Sequence, residues 1–238
     1  MLKMSVPYLY DAIYRYKNYQ QESQNIIRML AELGQASGSL LELACGTGRY
    51  LEYFKKYDRF GIDLCDESLL YASLRNPSAQ FKTLDMMDIR KGSSPFQEEQ
   101  FDVIIGLFGA IGYIQPERLA SCLKNWLSLL KPNGIMILEP WHFEPEAGEY
   151  KQLYSSAELM VQRKAKVTIK KGWTNMDFTF TVDHANGKKD ILKSQERLYS
   201  HSPNSLQTVL HHLDASVIQK ECSDFQKNGQ WYIRSQAK

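Results

Sequence analysis

The chain has 238 residues with 43% apolar and 24% charged side chains and a formal net charge of +2. That length builds one large α/β domain, or such a domain with an appended sheet, and the near-balanced charge gives no electrostatic case for nucleic acid or a membrane surface. No apolar run approaches the roughly 20 residues of a membrane span, and the first residues lack the apolar core of a signal peptide. Cys45, Cys65, Cys122 and Cys222 are scattered without the paired spacing of zinc sites, so reduced thiols in a cytoplasmic protein are expected.

Up to about Leu33 the chain reads as amphipathic helical segments with a tyrosine cluster: Tyr8, Tyr10, Tyr14, Tyr16 and Tyr19. Strand–helix alternation then runs from Leu40 to Leu138, the pattern of a parallel sheet. The first strand is Leu40–Leu43, followed by a helical pattern opened by Thr47 through Tyr50, Leu51 and Phe54. Arg59–Asp63, Phe81–Met86 and Phe101–Ile105 are the next three strands. Pro116 starts a helix over Glu117–Leu130, and Lys131–Gly134 forms a turn into a fifth strand, Ile135–Leu138. Three alternating stretches, Leu159–Ile169, Trp173–Val182 and Ile191–Tyr199, are joined by Gly172 and Asn186-Gly187, which suits antiparallel hairpins. A helix over Asn204–Asp214 and strands near Ser216–Cys222 and Gln230–Arg234 close the main sheet. The expected fold class is α/β: a Rossmann-like, seven-stranded, mostly parallel sheet with an antiparallel sheet inserted after the fifth strand. The expected domains are a helical cover (1–38), a cofactor-binding core (39–150), the inserted sheet (151–202) and a C-terminal helix with two core strands (203–238).

Glu42-Leu43-Ala44-Cys45-Gly46-Thr47-Gly48 sits where the first strand hands over to the next segment. Glycine admits a ligand against the backbone, and a helix start would offer free N–H groups to an anionic group. A dinucleotide fingerprint needs a third glycine where Leu51 stands, and a phosphate-binding loop needs lysine where Arg49 stands. S-adenosylmethionine fits better. It has no phosphate; its methionine carboxylate can use the helix start, its ammonium can meet Glu42, its ribose hydroxyls can donate to Asp63, and its adenine amine can donate to Asp85 with Met86 over the ring.

With these motifs the sequence resembles the class I S-adenosylmethionine-dependent methyltransferases. Within them it most resembles the N,N-dimethyltransferases of nucleotide-linked aminosugars. The segments that carry the likeness are Tyr10-Asp11 with Tyr14, Ala44 to Gly48, Asp85-Met86, Leu107 to Tyr113 and Glu139 to Phe143. That family commonly has two serines where this chain has Gly109 and Ala110, and an aromatic where it has His142. The resemblance implies further cofactor contacts from Tyr14, Tyr19, Ala44, Gly46, Gly48, Leu64 and Leu107. It also implies an acceptor pocket lined by Gly112, Tyr113, Glu139, Trp141 and His142, and a homodimer built with the inserted sheet.

An in-line displacement at a sulfonium needs alignment above all, and an amine acceptor must lose a proton before it can attack. The candidates for that work are Tyr14, Tyr113 and His142, with Glu139 as an orienting group. Aromatic faces beside them suit a cationic donor. The remaining histidines have no carboxylate or cysteine at ligand spacing, so no metal site is expected. The sequence thus predicts a cytoplasmic N-methyltransferase for an amine on a small molecule, foremost a nucleotide-linked aminosugar of secondary metabolism. Methylation of another small metabolite or of a peptide amine, on nitrogen or oxygen, is the alternative. A cofactor-binding, non-catalytic partner protein is the alternative of a different class.

Overall fold

The computed structural model describes residues 5–90, 95–139, 146–155, 159–221 and 229–235. The chain divides into two compact units, residues 19–143 with 201–238 and residues 1–18 with 144–200.

The larger unit is built on five parallel strands, β1 (Gly38–Leu43), β2 (Tyr57–Asp63), β3 (Gln80–Thr83), β4 (Phe101–Gly106) and β5 (Leu130–Leu138). Its last two strands are β10 (Ala215–Glu221) and β11 (Gln230–Ser235), and the sheet order is β10-β11-β5-β4-β1-β2-β3. Only the pairings of β11 with β5 and with β10 are antiparallel. Strands covered on both faces read as continuous apolar runs, because successive side chains serve opposite layers. Leu41, Leu43, Ile104, Met136 and Leu138 pack with Leu119, Leu123 and Trp126 of α4 (Pro116–Ser128). Their neighbours Leu40, Val103, Ile105, Ile135 and Ile137 pack with Ile26 and Leu30 of α2 (Tyr19–Glu32). The helices α3 (Asp66–Arg75) and α5 (Pro203–His212) complete this unit.

In the smaller unit, α1 (Val6–Ile13) accompanies a sheet of four antiparallel strands. These are β6 (Gly148–Ser155), β7 (Leu159–Lys170), β8 (Trp173–His184) and β9 (Lys189–Tyr199). The sequence predicts three strands here; β6 is the addition. It is exposed or half-exposed at every position, so it carries no strong apolar alternation to announce it.

Two further expectations are corrected. The segment after Gly48 is not an α-helix: only one 3-10 turn forms, Leu51–Tyr53, because the next strand already begins at Tyr57. Tyr50, Leu51 and Phe54 are buried all the same. The turn predicted over Lys131–Gly134 lies inside β5, where Asn133 takes a left-handed φ of 65° and the pairing with β4 shifts register.

Gly48 has φ +70°, and a Cβ added there would lie 2.8 Å from Asn76 Nδ2 and 3.1 Å from Ala72 Cβ. Gly187, in the β8–β9 turn, has φ +82° with open space around it. Gly187→Ala is expected to cost about 1–2 kcal/mol of unfolding free energy, the left-handed penalty alone. Gly48→Ala is expected to cost roughly twice that, because the clash adds to the penalty. Urea unfolding of both variants compares the two; equal losses would mean that α3 yields to the added carbon.

Candidate active site

Parallel strands place their carboxyl ends along one edge of the sheet, and in open α/β sheets that edge receives ligands. In the larger unit, Glu42 lies at the end of β1, Asp63 at the end of β2 and Asp85 just past β3. Leu107 follows β4, and Glu139 follows β5. The loop Ala44–Gly48 leaves β1 through left-handed conformations at Ala44 (φ 50°), Gly46 (φ 52°) and Gly48 (φ 70°). For alanine this conformation costs about 1–2 kcal/mol, strain of the kind that clusters at functional sites.

Asp63 holds this loop. Its Oδ2 accepts from Gly46 N (2.8 Å) and its Oδ1 from Cys65 N (2.9 Å). Burial pushes its carboxyl pKa up, and the N–H groups of Cys65, Gly46 and Leu64 partly oppose that. Further polar groups of the loop are also used: Gly48 N donates to Cys45 O, Arg75 donates to Thr47 O, and Asn76 Nδ2 donates to Gly48 O at 3.0 Å. The expectation of free N–H groups at a helix start is therefore corrected. With Gly46 N on a carboxylate and Gly48 N on a carbonyl, the loop offers no phosphate cradle. It offers space instead, since a Cβ at Gly46 would meet nothing within 4 Å.

Glu42 has the opposite character. It is 3% exposed, and its Oε2 has no hydrogen-bond partner among the described residues. Burial raises its pKa well above the ordinary value, the Asp63 charge raises it further, and only the Leu51 backbone opposes. Cys45 shares this environment: burial, Glu42 and Asp63 all push its thiol up, which keeps it an unreactive thiol.

Acidic groups accumulate around the same strand ends. Tyr50 Oη donates to Glu22 Oε2 at 2.7 Å, and burial together with the charges of Glu139 and Glu22 raises the Tyr50 pKa. Tyr19, an expected cofactor contact, is buried edge-on to Tyr50 with centroids 5.0 Å apart, and the Arg49 guanidinium lies 5.5 Å from its ring. Glu139, expected in the acceptor pocket, is fully buried, and its carboxylate accepts from Phe108 N. It thereby fixes the loop after β4 where Phe108 (φ 53°) and Gly109 (φ 74°) turn left-handed.

That loop winds into a 3-10 turn over Ala110–Tyr113, with Gly112 buried and Tyr113 41% exposed. Leu64, beside Asp63, is 66% exposed, an apolar surface at the strand edge. Met86 is instead 6% exposed within the core, and its carbonyl accepts from Trp126 Nε1 at 2.9 Å. Asp85 Oδ1 caps its own turn through Met87 N (2.8 Å). Trp141 and His142 lie outside the described residues. Tyr14 belongs to the smaller unit, where Arg163 of β7 donates to its Oη at 3.0 Å and stacks 5.2 Å from its ring. Arg163 is a partner that the sequence did not suggest; it stands on the apolar-facing register of β7 as a lone basic residue, which is the only signal available. Among the described residues no cluster of three or more histidine, cysteine or acidic residues could hold a metal ion. No helix among them is long and apolar enough to cross a membrane.

A seven-stranded sheet with two final antiparallel pairings, a glycine loop after its first strand and acids at successive strand ends defines a Rossmann-like α/β fold. Residues 40–134 match a family model described as a methyltransferase domain. A curated relative, dTDP-3-amino-3,4,6-trideoxy-alpha-D-glucopyranose N,N-dimethyltransferase of Streptomyces venezuelae, is 33% identical over 140 residues, 57% of this chain and 56% of that protein. The match spans about half the length of such curated relatives. Among solved structures, DesVI of Streptomyces venezuelae superposes with a TM-score of 0.85 at 23% identity, over 99% of this chain and 100% of that one. CalS10 of Micromonospora echinaspora, an amino pentose methyltransferase solved with SAM bound, gives 0.79 at 20% identity, over 99% of both chains. At these identities the superpositions establish the fold.

The buried Glu42 has a consequence for stability. At low pH both folded and unfolded chains carry its proton. As pH rises past the ordinary value near 4.3 the unfolded chain ionises first, so the stability Glu42 contributes at low pH is lost up to its raised folded value. Glu42→Gln is expected to gain on the unmodified protein between about pH 4 and pH 8, by roughly 1.4 kcal/mol per unit of raised pKa. Urea unfolding at both pH values checks this; a constant difference between the two chains would refute the raised pKa.

Proposed function

We propose that this protein is an S-adenosylmethionine-dependent N-methyltransferase acting on the amine of a nucleotide-linked sugar in secondary metabolism. The observation that carries the reading is the unpartnered Oε2 of Glu42 beside the open left-handed turn at Gly46. A buried carboxylate oxygen without a donor costs free energy that a bound ammonium would recover. The acids gathered at the strand ends suit a ligand that is cationic at both ammonium and sulfonium, and they argue against one that presents phosphate at the glycine loop. S-adenosylmethionine supplies a methyl group on a sulfonium. Glu42 would receive the ammonium, Gly46 would admit the chain, Asp63 would accept from the ribose hydroxyls through its remaining lone pairs, and Leu64 would lie against the adenine whose amine meets Asp85.

The rest of the work falls to this chain's acceptor side. Tyr113, exposed on a loop fixed by Glu139, would hold or take the proton of the acceptor nitrogen. Tyr19 and Leu107 would complete the cofactor walls, and Trp141 and His142 the acceptor side. The aminosugar assignment leans on the activity for which the Streptomyces venezuelae relative is named. The free thiols of Cys45, Cys65 and Cys122 suit a cytoplasmic protein. A homodimer belongs to the same proposal and is tested by light scattering.

Mass spectrometry of nucleotide-linked 3-aminosugars incubated with the protein and S-adenosylmethionine tests the function. Gain of one or two methyls is expected, and no gain with bound cofactor would exclude this acceptor class. Asp63→Ala is expected to weaken cofactor affinity at least tenfold by calorimetry, and unchanged affinity would remove Asp63 from the ribose site. Tyr113→Phe is expected to lower turnover at least tenfold with cofactor affinity intact; full activity would leave Tyr113 without a proton role.

A further inference from the structure

The loop after β4 is held at both ends. At its start, Phe108 N donates to Glu139, which secures the two left-handed residues Phe108 and Gly109. At its far end the partner is His201, a residue to which neither motif nor spacing drew attention. His201 is 3% exposed, and its Nε2 lies 3.1 Å from Ile111 O and 3.0 Å from Ile114 O. Carbonyl oxygens only accept, so Nε2 carries the hydrogen and shares it between them. The two carbonyls bracket Gly112 and Tyr113.

The imidazole is itself firmly placed. His201 directly precedes Ser202, which caps α5 by accepting from Ser205 N at 3.1 Å, and Pro203 opens the helix. Leu206 and Leu210 anchor that helix in the core. Burial also pushes the His201 pKa down, with the Ile114 and Ile111 carbonyls opposing, so the ring stays neutral near pH 7.

We propose that His201 is a positioning residue for the acceptor side, its Nε2–H gripping the carbonyls of Ile111 and Ile114 so that Tyr113 is presented in one orientation. The inference rests on the methyltransferase reading for its catalytic consequence, but not for its structural one. A 3-10 turn with poor internal hydrogen-bond geometry and a strained entry is prone to fray. Two shared bonds from a buried ring remove that freedom where the exposed tyrosine needs it. Small misplacement of a reacting pair is costly in methyl transfer, because alignment is the main source of rate.

Three replacements separate this role from simple packing. Glutamine can bring an amide N–H to where Nε2 lies, asparagine only to where Nδ1 lies, and leucine fills space without a donor. The measurements are methyl transfer to a nucleotide-linked 3-aminosugar, cofactor affinity by calorimetry and amide hydrogen exchange across residues 107–114. His201→Leu and His201→Asn are expected to lower kcat at least tenfold, keep cofactor Kd within twofold and speed exchange at Gly112–Ile114. His201→Gln is expected to recover kcat to within threefold and exchange to near the original rate. Full turnover in His201→Leu, equal loss in the glutamine and asparagine variants, or a parallel loss of cofactor affinity would overturn the proposal. If the unmodified protein transfers no methyl, the functional reading fails by itself. The exchange comparison then still decides for His201, since equal exchange in the leucine and glutamine variants would overturn its grip on the loop.

Discussion

One carboxylate joins the two strand ends on which the site is built. Asp63 leaves β2 and accepts from Gly46 N across the sheet edge and from Cys65 N in its own turn. Together with the bond from Cys45 N to Ile62 O, it restrains the turn in which Ala44 and Gly46 are left-handed. Its charge also acts on Glu42 and on the Cys45 thiol, raising both. Loop shape and local potential therefore depend on the same side chain, and a change at Asp63 cannot alter one without the other.

The sign of that potential distinguishes this strand-end loop from the phosphate-binding loops it resembles in sequence. In those, the backbone N–H groups at a helix start point outward at an anion. Here no helix follows, Gly46 N is occupied by Asp63, and the acids Glu22, Glu42 and Glu139 are buried nearby. A glycine motif alone does not set the charge of its ligand. The groups left over after the loop has satisfied itself do, and at Glu42 the group left over is an acceptor.

Much of this was legible in the chain. The doubly covered β1, β4 and the end of β5 announce themselves as apolar runs, and the acids Glu42, Asp63 and Asp85 stand at or just past three successive strand ends. The helix expected after Gly48 failed because Tyr50, Leu51 and Phe54 have a spacing that satisfies either a helix or a compact turn folded onto the same core. β6 escaped because it buries little on either face. Lys131–Gly134 carries turn residues, yet such residues report local φ and not whether the chain reverses, and β5 absorbs them as an irregularity. Arg163 and His201 were illegible for another reason: their partners Tyr14 and Ile111 lie 149 and 90 positions away. A residue whose meaning is a long-range hydrogen bond leaves no periodic trace.

The two loops at the proposed ligand-binding edge share a physical design. Each leaves its strand through left-handed residues, one of them not glycine: Ala44 after β1 and Phe108 after β4. Each has a backbone N–H taken by a carboxylate from an adjacent strand end, Gly46 by Asp63 and Phe108 by Glu139. A buried carboxylate without such a donor is expensive, and a left-handed alanine or phenylalanine without a restraint relaxes. Each penalty is met by the other partner, so strain and burial are resolved as pairs. Glu42 is the acid at these strand ends with an oxygen left over, since its Oε2 has no protein donor among the described residues. The pairing that stabilises Asp63 and Glu139 is thus open at Glu42 among the described residues, and the proposed cofactor's ammonium would close it.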